Sequence, residues 1–190
     1  SFSTESKNIP NILGLYGDNY DDAVAAVAGL LSVLLGGEKR SVTDAQKPIL
    51  YNALTKTYEK SGVTKDPKTW KNVPKLDALH ASLEEDMKDR RMSDQTRMSY
   101  EALVNRLSVF VRTREGREGI YSFLNTRTSS LNIDSKFTVF EFKKVPDDLK
   151  AVMTAIVMNY LQQKSGESLE RKLIIIEEAH LWLSNPLLSK

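Results

Sequence analysis

The 190-residue sequence has no cysteine, which excludes disulfides, thiolate zinc sites and cysteine nucleophiles and agrees with a reducing compartment. It has no apolar run near the roughly 18–20 residues that a membrane-spanning helix needs. The stretch Ser1-Phe2-Ser3-Thr4-Glu5-Ser6-Lys7 has no signal-peptide core. Membrane contact is therefore expected to be peripheral. A dominant charge sign is lacking as well. The net charge is +2, so a nucleic-acid partner would have to meet a local patch or a channel built by several subunits. No Gly-x-x-x-x-Gly-Lys-Ser/Thr sequence occurs, because Gly14-Leu15-Tyr16-Gly17-Asp18 and Gly36-Gly37-Glu38-Lys39-Arg40-Ser41 lack its spacing. The backbone cradle that such a loop offers to phosphates is absent.

What is present suffices for a substantial core, since 41% of the residues are hydrophobic, enough for one domain or two small ones. After a polar, turn-rich start, residues 19–35 read as a helix with acids in its first turn and Gly36-Gly37 past its end. Its small residues Ala23, Ala25, Ala26, Ala28 and Gly29 suit close packing against another helix. Thr43-Asp44-Ala45-Gln46 resembles a capping box opening a helix over 44–60, with Pro48 tolerated near its first turn. Residues 61–74 form a connection in which Trp70 is expected to cap the core; stacking on a nucleic-acid base is the weaker reading, because no other aromatic is interleaved with the nearby lysines. Two more helices are expected, one from Leu76 to about Arg90 and one beginning at Ser93-Asp94 and ending before Gly116. His80 has no second ligand at metal spacing and reads as a helix-face residue. Arg106, Arg112, Arg114 and Arg117 read as a solvated face, with a nucleic-acid or inter-subunit role as the alternative.

Beyond residue 124 the pattern changes. Phe137-Thr138-Val139-Phe140-Glu141-Phe142 has the β-branched and aromatic content of a strand, and Val145-Pro146-Asp147-Asp148 opens a helix that runs to about Gly166. Leu173-Ile174-Ile175-Ile176 then predicts a strand buried on both faces. Together these elements make one right-handed βαβ unit with parallel strands. The second strand ends in Glu177-Glu178-Ala179-His180, and in parallel sheets the carboxyl ends of strands open onto the ligand crevice. Adjacent carboxylates there suit a nucleotide site, where Glu177 would hold Mg2+, usually through water, and Glu178 would orient or deprotonate an attacking water. A buried strand that merely ends in two glutamates remains the alternative.

In this order, a long helical segment, a Val-Phe-x-Phe strand, Pro146-Asp147-Asp148-Leu149, a helix and Leu173-Ile174-Ile175-Ile176-Glu177-Glu178-Ala179-His180 resemble the HerA/FtsK superfamily of P-loop motor ATPases. Within it, the order is most similar to the TraC-like, VirB-type ATPases of conjugation and type IV secretion. The Glu-Glu-Ala-His form itself looks like the HerA branch. The resemblance implies a mostly helical α/β protein in which an all-α domain is inserted into a partial RecA-like parallel sheet. The expected division is a lead-in segment from the α/β core over 1–17, the insertion over 18–124, and a partial core with the acidic, Walker B-like strand over 125–190. ATP and Mg2+ are the implied cofactors of the complete protein, with Glu178 as catalytic residue, Glu177 at the metal and nucleotide, and His180 near the nucleotide. Arg127 is a weak match for an arginine supplied between subunits. Implied partners are further copies in a ring, secretion-channel or membrane-associated components, and DNA. The expected location is the cytoplasm, with peripheral contact at the inner face of the membrane. Without the phosphate-binding loop the chain reads either as a fragment of the motor or as a relative that has lost nucleotide binding. Of the two, the fragment is favoured, and the chain alone is expected to be inactive. The rival of another class is a helical interaction module without enzymatic activity, docking on a secretion channel.

Overall fold

The computed structural model describes residues 9–36, 42–112, 116–126, 137–142, 145–166 and 173–175. Through them run α1 (Tyr20–Gly36), α2 (Gln46–Lys60), α3 (Leu76–Asp86), α4 (Asp94–Leu107) and α5 (Asp147–Gly166), joined by short 3₁₀ turns at Pro67–Asn72, Ser108–Phe110 and Ser122–Leu124. No helix among the described residues is long and apolar enough to cross a membrane.

Local chemistry sets most boundaries. The Asn19 side chain accepts from the backbone N–H groups of Asp21 and Asp22 and so opens α1. Gln46 reaches back to accept from the Thr43 N–H at 3.1 Å, the reciprocal half of the expected capping box, while no side chain caps the helix from Ala45. Helix α2 closes at Gly62, whose φ of 76° is left-handed, with the Val63 N–H bonded back to the Tyr58 carbonyl. Ser93 caps α4 by accepting from the Thr96 N–H. Helix α3 ends at Asp86, short of Arg90, because Arg97 donates to the carbonyls of Met87 and Asp89 and satisfies the chain there without another helical turn.

The helices share one core. Helix α1 packs against α2, α4 and α5, and α3 packs against α2 and α4. Val24, Val27 and Leu31 of α1, Leu50 and Leu54 of α2, Leu79 and Leu83 of α3, Leu103 and Leu107 of α4, and Met153 and Ile156 of α5 are all buried. The segment before α1 belongs to this core too. Ile9, Ile12, Leu13 and Leu15 are buried, Asn11 Nδ2 donates to the Pro74 carbonyl at 2.8 Å, and the Tyr58 hydroxyl donates to the Leu13 carbonyl at 2.7 Å. Tyr16 meets Tyr160 of α5 edge to face at 5.5 Å. Burial pushes the Tyr16 phenol up to about 12 and that of Tyr58 well above its ordinary value.

The expected strands differ. Among the described residues the only β-pairing is an isolated antiparallel bridge between Arg112 and Glu118. Its two arms approach so closely at Gly119 that a Cβ there would lie 2.3 Å from the Val109 carbonyl oxygen. Phe137–Phe142 forms no ladder, and Phe137 and Val139 are 80% and 66% exposed, although Phe140 and Phe142 pack against the core. Leu173–Ile175 is likewise unpaired, with Leu173 86% exposed instead of buried on both faces. A strand of this composition is buried only when neighbouring strands pair with both its edges and helices cover both its faces. No described residue supplies those neighbours, so the RecA-like sheet is not formed among them.

Candidate functional site

Glu177, Glu178, His180 and Arg127 all lie outside the described residues, and of the acidic stretch only Leu173, Ile174 and Ile175 are placed. Helix α5, which precedes that stretch in the chain, packs against α1 and buries Val152, Met153, Ile156 and Tyr160. Among the described residues no group of three or more His, Asp and Glu side chains could hold a metal ion. His80 is buried inside α3 with Nδ1 3.8 Å from Glu84 Oε1, a helix-face position as its isolation in the sequence implies.

Ionisable groups cluster between α2 and α3. Lys56 pairs with Asp86 and Lys60 with Glu85. The hydrogen bond that Lys56 donates to Asp86 raises the Lys56 pKa, and the one from Lys60 lowers that of Glu85. Beside these pairs a pocket of about 240 Å³ is lined by Thr57, Ser61, Ala78, Ala81 and Ser82. Its small side chains let the two helices approach, and its charges are already matched to each other.

The arginines divide. Arg112 and Arg117 are exposed, as a solvated face requires, whereas Arg106 has one guanidinium nitrogen buried without a hydrogen-bond partner among the described residues. Trp70 is buried and donates Nε1–H to the Thr64 carbonyl at 2.9 Å, which turns the indole inward as a core cap. That leaves Lys65, Lys68 and Lys71 outside, all exposed, on the turn that Trp70 pins. Weighing the tryptophan alone passes over these lysines; their three-residue spacing next to Pro67 is the signal in the sequence that marks them.

No protein-family model matches the chain, and no curated protein does so by sequence. A solved structure does match by shape: the structure of VirB4 of Thermoanaerobacter pseudethanolicus superposes with a TM-score of 0.76 over 96% of this chain and 68% of that one, at 19% sequence identity. At that identity the likeness is one of fold, and the described helices are arranged as in a VirB4 protein.

Proposed function

We propose that this chain is part of a motor ATPase of the VirB4-like, type IV secretion or conjugation kind, which couples ATP hydrolysis to the movement of macromolecules. The observation that carries this reading is the fold likeness to VirB4 over nearly the whole chain, which agrees with the resemblance of residues 173–180 to the acidic strand of such motors. In this reading α1 to α4 form the helical domain, and residues from about 125 onward begin the ATPase core. Adjacent carboxylates at the end of a β-branched run are a donor set suited to Mg2+, which prefers oxygen ligands and keeps several waters. Bound there with ATP, the ion would neutralise charge developing on the phosphates. Glu177 would sit beside it, Glu178 would hold the attacking water and accept its proton, and His180 would follow the nucleotide state. Arg127 is the weak candidate for a contribution to a neighbouring copy's site in a ring. The phosphate-binding loop would come from another stretch of the complete motor.

The test is made in a protein that carries such a loop ahead of this chain. Glu178→Gln keeps the side-chain shape and removes the base, so hydrolysis should fall by roughly 10²–10⁴-fold while Mg-ATP binding persists. Glu177→Gln should chiefly weaken the dependence on magnesium. Near-normal turnover in Glu178→Gln would return the stretch to a buried strand with a polar end. No hydrolysis by the unmodified protein would instead favour the interaction module, a reading supported by the way the helices bury a core without any sheet among the described residues.

A further inference from the structure

The connection from α2 to α3 is the most basic part of the chain. From Lys60 to Lys75 it has five lysines and one acid, Asp66, a formal +4 in a chain whose total is +2, so the remainder is net negative. The segment is rigid at its centre. Asp66 accepts from the Lys68 N–H at 3.0 Å, Thr69 Oγ1 donates to the Asp66 carbonyl at 2.7 Å and accepts from the Thr64 N–H at 2.9 Å, and Trp70 pins the turn to the core. Residues three apart eclipse in a 3₁₀ helix and rise by roughly 2 Å each, so Lys68 and Lys71 stand one above the other with Cα atoms about 6 Å apart.

Their charges are uncommitted. Lys60 and Lys75 pair with Glu85 and Asp77, but among the described residues neither Lys68 nor Lys71 lies within ion-pair distance of a carboxylate. Lys65 reaches Asp21 only at 3.4 Å, with both side chains largely exposed, a pair of little energetic weight.

We propose that Lys65, Lys68 and Lys71 form a contact for the phosphate backbone of duplex nucleic acid. Ammonium groups on flexible stems neutralise phosphates as point charges without reading base edges. The one aromatic ring nearby faces inward, which removes the stacking platform that single strands use. No large apolar side chain between residues 60 and 75 is exposed to enter a lipid layer, which favours a duplex over a membrane surface. Three charges make a weak, sequence-indifferent contact, strengthened where several copies engage one duplex. The inference does not rest on the ATPase reading and stands or falls separately from it.

The experiment is fluorescence anisotropy of a labelled random-sequence duplex with the purified chain across a series of low salt concentrations. Three neutralised phosphates predict a slope of log Kobs against log salt of about −2.7. The double variant Lys68→Gln/Lys71→Gln should reduce that slope by about 2 and weaken binding by about tenfold or more at low salt. The Lys88→Gln control, on the exposed loop after α3, should leave both unchanged. An unaltered slope in the double variant, or no binding by the unmodified chain at the lowest salt, overturns the proposal. So does binding to phosphatidylserine vesicles through the same lysines without binding to the duplex.

Discussion

At the scale of single residues, the buried tyrosines have a measurable consequence. Tyr16 holds its proton to about pH 12 in the folded chain, and Tyr58 holds its proton well past the ordinary value of 10. In the unfolded chain both ionise near pH 10. A folded pKa raised above the unfolded one means that stability is fully present below pH 10 and declines as the pH rises towards 12, because only the unfolded state releases these protons. Chemical denaturation followed by circular dichroism should therefore show a falling midpoint between pH 10 and 12, and Tyr16→Phe should flatten that decline. A midpoint indifferent to pH in this window would mean that the phenols are not enclosed as described. The Tyr58 hydroxyl adds a specific tie to Leu13 that no local pattern in the sequence announces, since its partner lies 45 positions away.

At the scale of elements, helix ends were legible wherever the capping group is a near neighbour in the chain. Ser93 before α4 and Gly62 after α2 are both set by bonds within a few residues, and the spacing of the apolar residues located every helix. Ser93→Ala should cost about 1 kcal/mol of stability. Gly29→Ala, in the exposed middle of α1 where a Cβ would meet nothing within 4 Å, should add roughly 0.5–1 kcal/mol. Thermal melts of both variants check the two signs, and a destabilising Gly29→Ala would show that something covers that face of α1. Distant closures were not legible. Helix α3 has no side-chain cap from its own flank, and Asn125 Oδ1 accepts from the Asp77 N–H at 3.2 Å from the far end of the helical region. The close approach at Gly119 is equally silent in sequence, because it depends on where Val109 lies. The β-branched runs at 137–142 and 173–175 show the opposite limit: composition announces a strand, but pairing needs partners that composition cannot supply. For the candidate site, residue types and their order were legible, while Glu177, Glu178, His180 and Arg127 lie outside what the structure describes.

At the scale of the whole molecule, the helical unit reaches back to Ile9, because Ile9, Ile12, Leu13 and Leu15 are buried in the core that the helices build. A unit starting at residue 18 would lack those side chains, each worth about 1.5–3 kcal/mol of burial. Residues 1–126 should therefore melt cooperatively and at a distinctly higher temperature than residues 18–126. Equal melting temperatures would show that the first segment contributes nothing to the unit. The strap formed by Ile9–Leu15 also bears on the order of events during synthesis. It is made before its anchors, because the Tyr58 hydroxyl and the Pro74 carbonyl arrive 45 and 63 positions later. At about 5–20 residues per second, Asn11 waits roughly 3–13 s for its acceptor to be polymerised. During that interval the four large aliphatic side chains lack the parts of the core that α2 and α3 supply, so the nascent chain offers a chaperone-binding segment that the finished protein hides.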